Sequence, residues 1–190
     1  MKGPTRTTRS TIRGDERWEG RVSDKAGGPQ GEAATKGTAA ISEYLDVQGV
    51  QYELVEHEPT MSAAAEADAT HRPQQKVAKT VVVRDRDAYI LAIVPASERL
   101  DVRKLRDLLG ASKSMRLATE DEMARDFPTL EVGATPPVGP MLPHAEVVDR
   151  RLLEEDRILC SGGDHRHSIV LDPRDVVTMT DAKVSDVCED

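Results

Sequence analysis

Near its middle the chain reads Val77-Ala78-Lys79-Thr80-Val81-Val82-Val83, a run of branched residues that ends at the turn-forming Asp85-Arg86-Asp87. This composition is typical of a β-strand. Because side chains alternate along a strand, Lys79 shares a face with three of the valines, and we expect that face to point inward. An ammonium group there is costly unless carbonyl or anionic groups meet it, and burial lowers its pKa. A lysine on an edge strand that extends to water is the alternative.

Around this strand, length and charge limit the class of protein. The chain has 190 residues, which is enough for one ordinary hydrophobic core. Its net charge is −8. An acidic domain does not favour broad binding of nucleic acids, because phosphate contacts need a basic surface. A local patch could still contact one end of a nucleic acid, and its candidates cluster in sequence: Arg99, Arg103, Lys104, Arg106, Lys113 and Arg116. A solvated helix face is the alternative interpretation.

Aromatic and cysteine residues narrow the classes further. One Trp, three Tyr and one Phe are spread too widely for a sheet that stacks single-stranded bases. Cys160 and Cys188 are too few for a thiolate metal site or a disulfide framework, and they indicate a reducing compartment. No segment has the apolar length of a membrane span or a signal peptide. We therefore expect a cytoplasmic protein with no membrane partner and no DNA partner.

Composition divides the chain into three regions. Residues 1–36 have few aliphatic residues and many charges, which predicts a disordered N-terminal tail. Residues 38–181 carry apolar periodicity between turn signals, which predicts one globular domain. Residues 182–190 are predicted to form a flexible C-terminal tail.

Periodicity and capping residues predict the elements of the domain. The branched runs on either side of the acidic turn predict a hairpin of strands 76–84 and 89–95. Helices are predicted at 38–49, 60–69, 102–109, 119–127 and from Pro173 onward. Thr60 is the predicted cap of the second helix, and Thr119 with Glu122 is predicted to form a capping box at the fourth. Further strands are predicted at 50–55, 115–117, 146–148, 157–161 and 168–171. The expected fold class is α+β, with a mixed, barrel-like β-sheet of about seven strands wrapped by short helices.

Three elements could carry chemistry: Lys79, the loop Gly133-Ala134-Thr135-Pro136-Pro137-Val138-Gly139-Pro140, and the turn Gly162-Gly163 with His165 and His167 after it. Loops of Gly and Pro expose backbone groups to a ligand at close range. The alternatives are a rigid connector for the loop, an ordinary hairpin turn for the two glycines, and exposed turn residues for the histidines.

Standard catalytic signatures are missing. The sequence has no nucleophile elbow, no phosphate-binding Gly-rich loop and no dinucleotide fingerprint. Asp164 and His165 form a possible pair, but no placed serine or cysteine completes a triad. A zinc site from Cys160, His165 and His167 is conceivable, although their spacing matches no standard ligand pattern. Lys79 could in principle form a Schiff base, since an apolar pocket helps to deprotonate it.

Taken in order, three segments resemble the YbaK/prolyl-tRNA-synthetase-associated domain family. They are the strand 77–83, the loop 133–139, and Ser161-Gly162-Gly163 followed by Ser168-Ile169-Val170-Leu171-Asp172-Pro173. The resemblance runs from about Ser42 to Met179 and leaves residues 1–36 outside. It implies a mixed, barrel-like sheet and a trans-editing aminoacyl-tRNA deacylase, which hydrolyses the ester of mischarged tRNA, often tRNA for proline.

The resemblance also implies roles for individual residues. The family's key lysine falls on Lys79 and its loop glycine on Gly133, so these are the predicted catalytic residues. Thr80 matches a position that binds substrate in some members. The remaining predicted substrate-binding residues lie in the same loop and turn: Thr135, Pro136, Gly139, Gly162, Gly163 and His165. Many members read Gly-Gly-x-Ser-Pro where this chain has Gly133-Ala134-Thr135-Pro136, which leaves the substrate open.

The implied chemistry needs no metal and no cofactor. An aminoacyl ester is already activated, so water or the adjacent ribose hydroxyl can attack it once the developing oxyanion is stabilised. Lys79 would contact the carbonyl oxygen or the terminal phosphate, and N–H groups near Gly133 would complete the oxyanion site. The expected partners are the acceptor end of a mischarged aminoacyl-tRNA and an aminoacyl-tRNA synthetase. The alternative is a non-catalytic module that binds a tRNA or a synthetase.

Overall fold

The computed structural model describes residues 36–140, 142 and 145–190. Most of the predicted N-terminal tail, 1–36, lies outside the described residues. The helices within them are α1 (Lys36–Gln48), α2 (Ala63–Ala69), α3 (Val102–Leu109), α4 (Glu120–Asp126) and α5 (Pro173–Thr180). The strands are β1 (Tyr52–Glu56), β2 (Val77–Asp85), β3 (Ala88–Pro95), β4 (Arg116–Leu117), β5 (Glu146–Asp149), β6 (Ile158–Ser161), β7 (His167–Leu171) and β8 (Lys183–Ser185).

The strands form one mixed sheet in the order β1-β7-β6-β2-β3-β5-β8, with β4 paired to β2. The α+β class with a mixed sheet is therefore confirmed. Parallel pairs join β2 to β6, β3 to β5 and β5 to β8, and the other pairs are antiparallel. The sequence predicted about seven strands, and β8 is the strand that it missed.

Strand β2 has a fully paired side and an interrupted side. It pairs with β3 along its length, whereas on the other side Val77–Ala78 pair with β6 and Val83–Arg84 pair with β4. The Ala96 N–H donates to the Val77 carbonyl on the β3 side. Because backbone groups alternate in direction along a strand, those of Thr80 face the interrupted side. The sheet thus opens beside the middle of β2.

The two faces of β2 pack against different clusters of apolar side chains. Ala78 and Val82 belong to the main cluster, which includes residues of α1 and α5. Val83 belongs to a second cluster with Leu105 of α3, and Val81 packs against it. Lys79 shares this second face, so the prediction that it lies among inward-pointing valines is confirmed for Val83 and Val77, which are both fully buried.

Helix caps fix where the short helices begin. The Ser62 hydroxyl accepts a hydrogen bond from the Ala65 N–H and caps α2, so the predicted cap Thr60 is wrong. Thr60 instead donates its backbone N–H to the His165 carbonyl. The capping box of Thr119 and Glu122 at α4 is present as predicted.

The segment 182–190 is packed on the domain and differs from the predicted flexible tail. Strand β8 pairs in parallel with β5, and Val187 and Cys188 are fully buried. The Val187 N–H donates to a carboxylate oxygen of Asp149 at 2.9 Å. Strand β8 has only three residues and is mostly exposed, so it carries too little alternation of apolar and polar side chains to be recognised in the sequence.

Candidate functional site

A cavity of about 210 Å³ lies where the sheet opens beside β2. Its walls come from the start of α2, the middle of β2, the loop that begins at Gly133 and the turn between β6 and β7. Four segments that are distant in sequence meet there because β6 and β4 leave the edge of β2 uncovered between them.

The cavity brings together part of the predicted site. The predicted residues that line it are Lys79, Gly133, Thr80, Thr135 and His165. The predicted residues outside its wall are Pro136, Gly139, Gly162 and Gly163. The catalytic and binding roles of all nine stay predictions. Side-chain alternation puts Lys79 and Thr80 on opposite faces of β2, and both can border one cavity because the sheet is interrupted beside them.

Lys79 is held at the cavity wall by backbone carbonyls. Its Nζ donates to the Glu98 carbonyl at 2.5 Å and to the Ala96 carbonyl at 3.4 Å. Burial lowers the pKa of Lys79, and the nearby positive charge of Arg99 lowers it further. An inward-pointing ammonium group needs carbonyl or anionic partners, and these two carbonyl groups provide them and hold Nζ in a fixed position.

Thr80 presents an unsatisfied hydroxyl beside the lysine. Its Oγ1 is buried and has no hydrogen-bond partner among the described residues. Buried hydroxyl groups are nearly always paired, so a bound ligand or a water molecule is the natural partner of this one. Its backbone groups face the same opening of the sheet. Thr80 therefore offers several polar groups to a molecule in the cavity.

Gly133 is exposed at the cavity and has a φ of +90°. A side chain there would start with its Cβ 3.6 Å from His165 Cε1, which is ordinary contact. The glycine is therefore needed mainly for its backbone conformation, and the space over it is open. Residues 134–138 are buried, so most of this loop packs against the domain and only its ends reach the surface.

The Gly162-Gly163 turn has a different role. A Cβ on Gly162 would lie 2.8 Å from the His167 carbonyl oxygen, and a Cβ on Gly163 would lie 2.9 Å from Ile41 Cδ1. These distances are shorter than carbon atoms tolerate, so close packing explains both glycines. The Ser161 hydroxyl donates to the Ala134 carbonyl at 2.8 Å and joins this turn to the Gly133 loop.

Asp164 organises the turn from inside. Its carboxylate accepts hydrogen bonds from the backbone N–H groups of Arg166 and His167, from the Thr38 hydroxyl and from His167 Nδ1. Burial alone would raise the pKa of Asp164, but these hydrogen bonds outweigh it and hold the pKa at about 2. The Asp164–His165 pair considered from the sequence is not formed, because His167 is the partner of the carboxylate.

The cysteines and histidines are not arranged as a metal site. The Cys160 thiol donates to the Ile169 carbonyl, and His167 binds Asp164. Within the described residues, no group of three or more His, Cys, Asp or Glu side chains is placed to hold a metal ion. Burial raises the pKa of Cys160 well above its usual value and that of Cys188 to about 12, so neither thiol is an activated nucleophile.

The predicted basic patch is partly neutralised by ion pairs. Lys104 pairs with Asp186 and Asp190, and Arg116 pairs with Glu122. Arg99 is exposed and close enough to Lys79 to affect its pKa, which places a positive charge beside the cavity. No helix in the described part of the chain is long and apolar enough to cross a membrane.

Sequence reasoning missed Glu66, which lines the cavity from α2 and is 7% exposed. Its carboxylate accepts a hydrogen bond from the Ser168 hydroxyl, which also lies 2.8 Å from His57 Nε2. The signal was present in the sequence: Glu66 lies three residues after Ala63 and next to Ala67, and the structure buries Ala67 fully and Ala63 partly. A lone carboxylate on such a face indicates a buried acidic group.

Comparisons with known proteins show what this chain is similar to. Residues 57–179 match the family described as the aminoacyl-tRNA editing domain. Over 73 residues the chain is 34% identical to a proline–tRNA ligase of Fervidobacterium nodosum and 32% identical to one of Thermosipho africanus. Those matches cover 38% of this chain, but only 12% and 13% of the two ligases.

Two solved structures share the fold over most of the chain. One is a candidate trans-editing enzyme for prolyl-tRNA synthetase, with 25% identity, a TM-score of 0.74, and coverage of 83% of this chain and all of that one. The other, a hypothetical protein, has 28% identity, a TM-score of 0.71, and coverage of 79% of this chain and 99% of that one. Because the family match spans more than half of the residues, this chain belongs to the aminoacyl-tRNA editing domain family.

Proposed function

We propose that this protein is an aminoacyl-tRNA deacylase that acts in trans and removes a wrongly attached amino acid from tRNA, with tRNA for proline as the expected acceptor. The family and the similarity to proline–tRNA ligases support this class of substrate. The observation that carries the proposal is the fixed ammonium of Lys79 at the cavity wall, next to the unpartnered Thr80 hydroxyl.

The cavity suits the aminoacyl ester at the acceptor end. Its volume of about 210 Å³ leaves room for a small amino acid, and its walls carry hydroxyl, carboxyl and ammonium groups. The Lys79 ammonium stabilises negative charge on the ester carbonyl oxygen as the nucleophile adds. The Ala134 N–H already donates to the Glu131 carbonyl, so it is not available to the oxyanion. Lys79 is therefore the main group that stabilises the oxyanion in this proposal.

Arg99 extends the positive charge of Lys79 to the surface beside the cavity. The terminal phosphate of the acceptor end is the group that such a position suits, because phosphate contacts are made mainly by Arg and Lys. A synthetase that releases the mischarged tRNA is the partner we propose for the complete reaction.

The first experiment measures hydrolysis of alanyl-, cysteinyl- and seryl-tRNA for proline by the purified protein, with Lys79→Ala compared to wild type. We expect the substitution to lower kcat/KM by at least about 10²-fold, the usual effect of removing one oxyanion-stabilising donor. Lys113→Ala is the matched control, since Lys113 is exposed and does not line the cavity.

Normal hydrolysis by Lys79→Ala would contradict the proposed role of this lysine. Absence of hydrolysis by the wild-type protein on every mischarged tRNA, together with tight tRNA binding, would instead identify a non-catalytic binding module.

A further inference from the structure

A chain of three side chains leads from the cavity toward the surface. The Ser168 hydroxyl donates to Glu66 Oε1, and Ser168 Oγ lies 2.8 Å from His57 Nε2. His57 Nδ1 in turn lies 2.7 Å from the Glu58 carbonyl oxygen. Glu66 is 7% exposed and Ser168 fully buried, while His57 is partly exposed. The proposed ester hydrolysis, as described so far, uses none of them.

The hydrogen bonds among Glu66, Ser168 and His57 determine how many protons these side chains share. A carbonyl oxygen only accepts, so His57 Nδ1 carries a proton that it donates to Glu58. The Ser168 hydroxyl has one hydrogen and two neighbours, Glu66 Oε1 and His57 Nε2. The Ser168 hydroxyl can donate to only one of these two atoms, so the other atom must carry a proton and donate it to Ser168 Oγ. Every hydrogen bond among these three side chains can therefore form when they share one additional proton, which lies on Glu66 or on His57 Nε2.

The surroundings of Glu66 keep this proton available near neutral pH. Burial raises the pKa of Glu66 to about 7, and the Ser168 hydroxyl and the charge of His165 oppose that rise. The ionisable groups around it are His165, Lys79 and Asp164 at the cavity wall, Cys160 on β6 and His57 beyond Ser168. A group that titrates near the working pH can both accept and release a proton during a reaction.

We propose that Glu66 is the general base and general acid of ester hydrolysis in this cavity, and that Ser168 and His57 form a relay between it and the surface. The inference rests on the proposed deacylase function and adds the group that moves the proton. The Glu66 carboxyl is the group that contacts the attacking water, whereas Ser168 and His57 are positioning residues.

The reaction balances without a metal or a covalent intermediate on the protein. The Glu66 carboxylate takes a proton from water as the water oxygen bonds to the ester carbon, and the carbonyl electron pair moves to the oxygen stabilised by Lys79. The pair then returns, the bond from carbon to the ribose oxygen breaks, and Glu66 gives its proton to that oxygen. The products are the free amino acid and the tRNA with its ribose hydroxyl restored.

Glu66→Gln tests the base directly, because the amide keeps the size and one acceptor but cannot take the proton. We expect kcat to fall by about 10²–10⁴-fold, the range for loss of a general base, with KM nearly unchanged. In the wild type, the logarithm of kcat should rise with pH up to about 7, where Glu66 ionises. In Glu66→Gln this rise should disappear. Asp68→Asn is the control, since Asp68 is exposed on the same helix.

Ser168→Ala tests the relay and keeps the base. The Ser168 hydrogen bond lowers the pKa of Glu66, so its loss should move the rise in rate to higher pH and reduce kcat at pH 7 severalfold. A Glu66→Gln variant that folds and keeps the wild-type kcat and pH profile would overturn the inference. An effect on KM alone would also overturn it, because Glu66 would then only bind substrate.

A second readout does not depend on activity. NMR of protein labelled at the Glu carboxyl carbons should show Glu66 titrating near pH 7, and Ser168→Ala should move that transition to higher pH, because the Ser168 hydrogen bond lowers the pKa of Glu66. Titration of Glu66 below about pH 5, as an ordinary carboxyl group, would refute the relay. Wild-type protein that is inactive on every mischarged tRNA, but in which Glu66 titrates near pH 7 and shifts in Ser168→Ala, would refute the deacylase proposal and the catalytic role of Glu66, while the hydrogen bond between Ser168 and Glu66 would stand.

Discussion

The Gly133 loop and the Gly162-Gly163 turn look alike in sequence, and the structure gives them different reasons for glycine. Both have positive φ, +90° at Gly133 and +102° at Gly163. A Cβ at Gly133 would meet His165 at 3.6 Å, whereas a Cβ at Gly163 would press on Ile41 at 2.9 Å and Leu130 at 3.2 Å. Gly133 therefore borders open space, whereas Gly163 is packed so closely against the core that no side chain fits there.

Gly163→Ala should have the largest effect on stability, because it combines an unfavourable φ with a side chain forced against the core. We expect the free energy of unfolding to fall by about 3 kcal/mol, with about 1 from the backbone and about 2 from overpacking. Urea unfolding measures this loss. Gly110→Ala is the control for the backbone part, since Gly110 has a φ of +62° and nothing within 4 Å of its Cβ position. Equal losses in the two variants would refute the packing explanation.

Asp164→Asn should destabilise the same turn by about 2 kcal/mol at pH 7, because hydrogen bonds to a charged acceptor contribute about 1.5–3 kcal/mol. The folded-state pKa of about 2 lies below the usual value, so the contribution of Asp164 is present above about pH 4 and is lost as the pH falls through 2. Urea unfolding of both proteins between pH 7 and 2.5 should show the difference shrinking. A difference that does not depend on pH would mean that the charge of Asp164 is unimportant.

Gly133→Ala should have the smallest effect on stability and a clear effect on hydrolysis. We expect a loss of about 1 kcal/mol in unfolding, like Gly110→Ala, and a tenfold loss in kcat/KM, which corresponds to about 1.4 kcal/mol of transition-state stabilisation. The alanine methyl group intrudes on the substrate side, where the structure leaves open space. If hydrolysis per folded molecule is unchanged, the loop at Gly133 does not contact the ester.

The features that the sequence predicted are local ones. The strand around Lys79, the hairpin that follows it and the Thr119–Glu122 capping box depend on neighbouring residues, and the structure has all of them. Lys79 was identifiable because its branched neighbours demand burial while its charge resists it. Such a conflict is visible within one strand.

The features that the sequence missed depend on distant partners. Nothing near Thr60 shows that its N–H binds His165, which leaves Ser62 as the cap of α2. Strand β8 is too short and exposed to carry a pattern, and it forms because β5 offers an edge. The burial of Ala134–Val138 similarly follows from the Ser161 contact and from packing against the core.

The packed segment after β8 has a consequence for the order in which the protein matures. The Asp101 N–H donates to the Val187 carbonyl and the Glu189 N–H to the Arg99 carbonyl, so this segment secures the loop whose carbonyls hold Lys79. Of the parts that shape the site, these residues leave the ribosome last. A nascent chain can therefore build most of the cavity wall before its lysine is fixed.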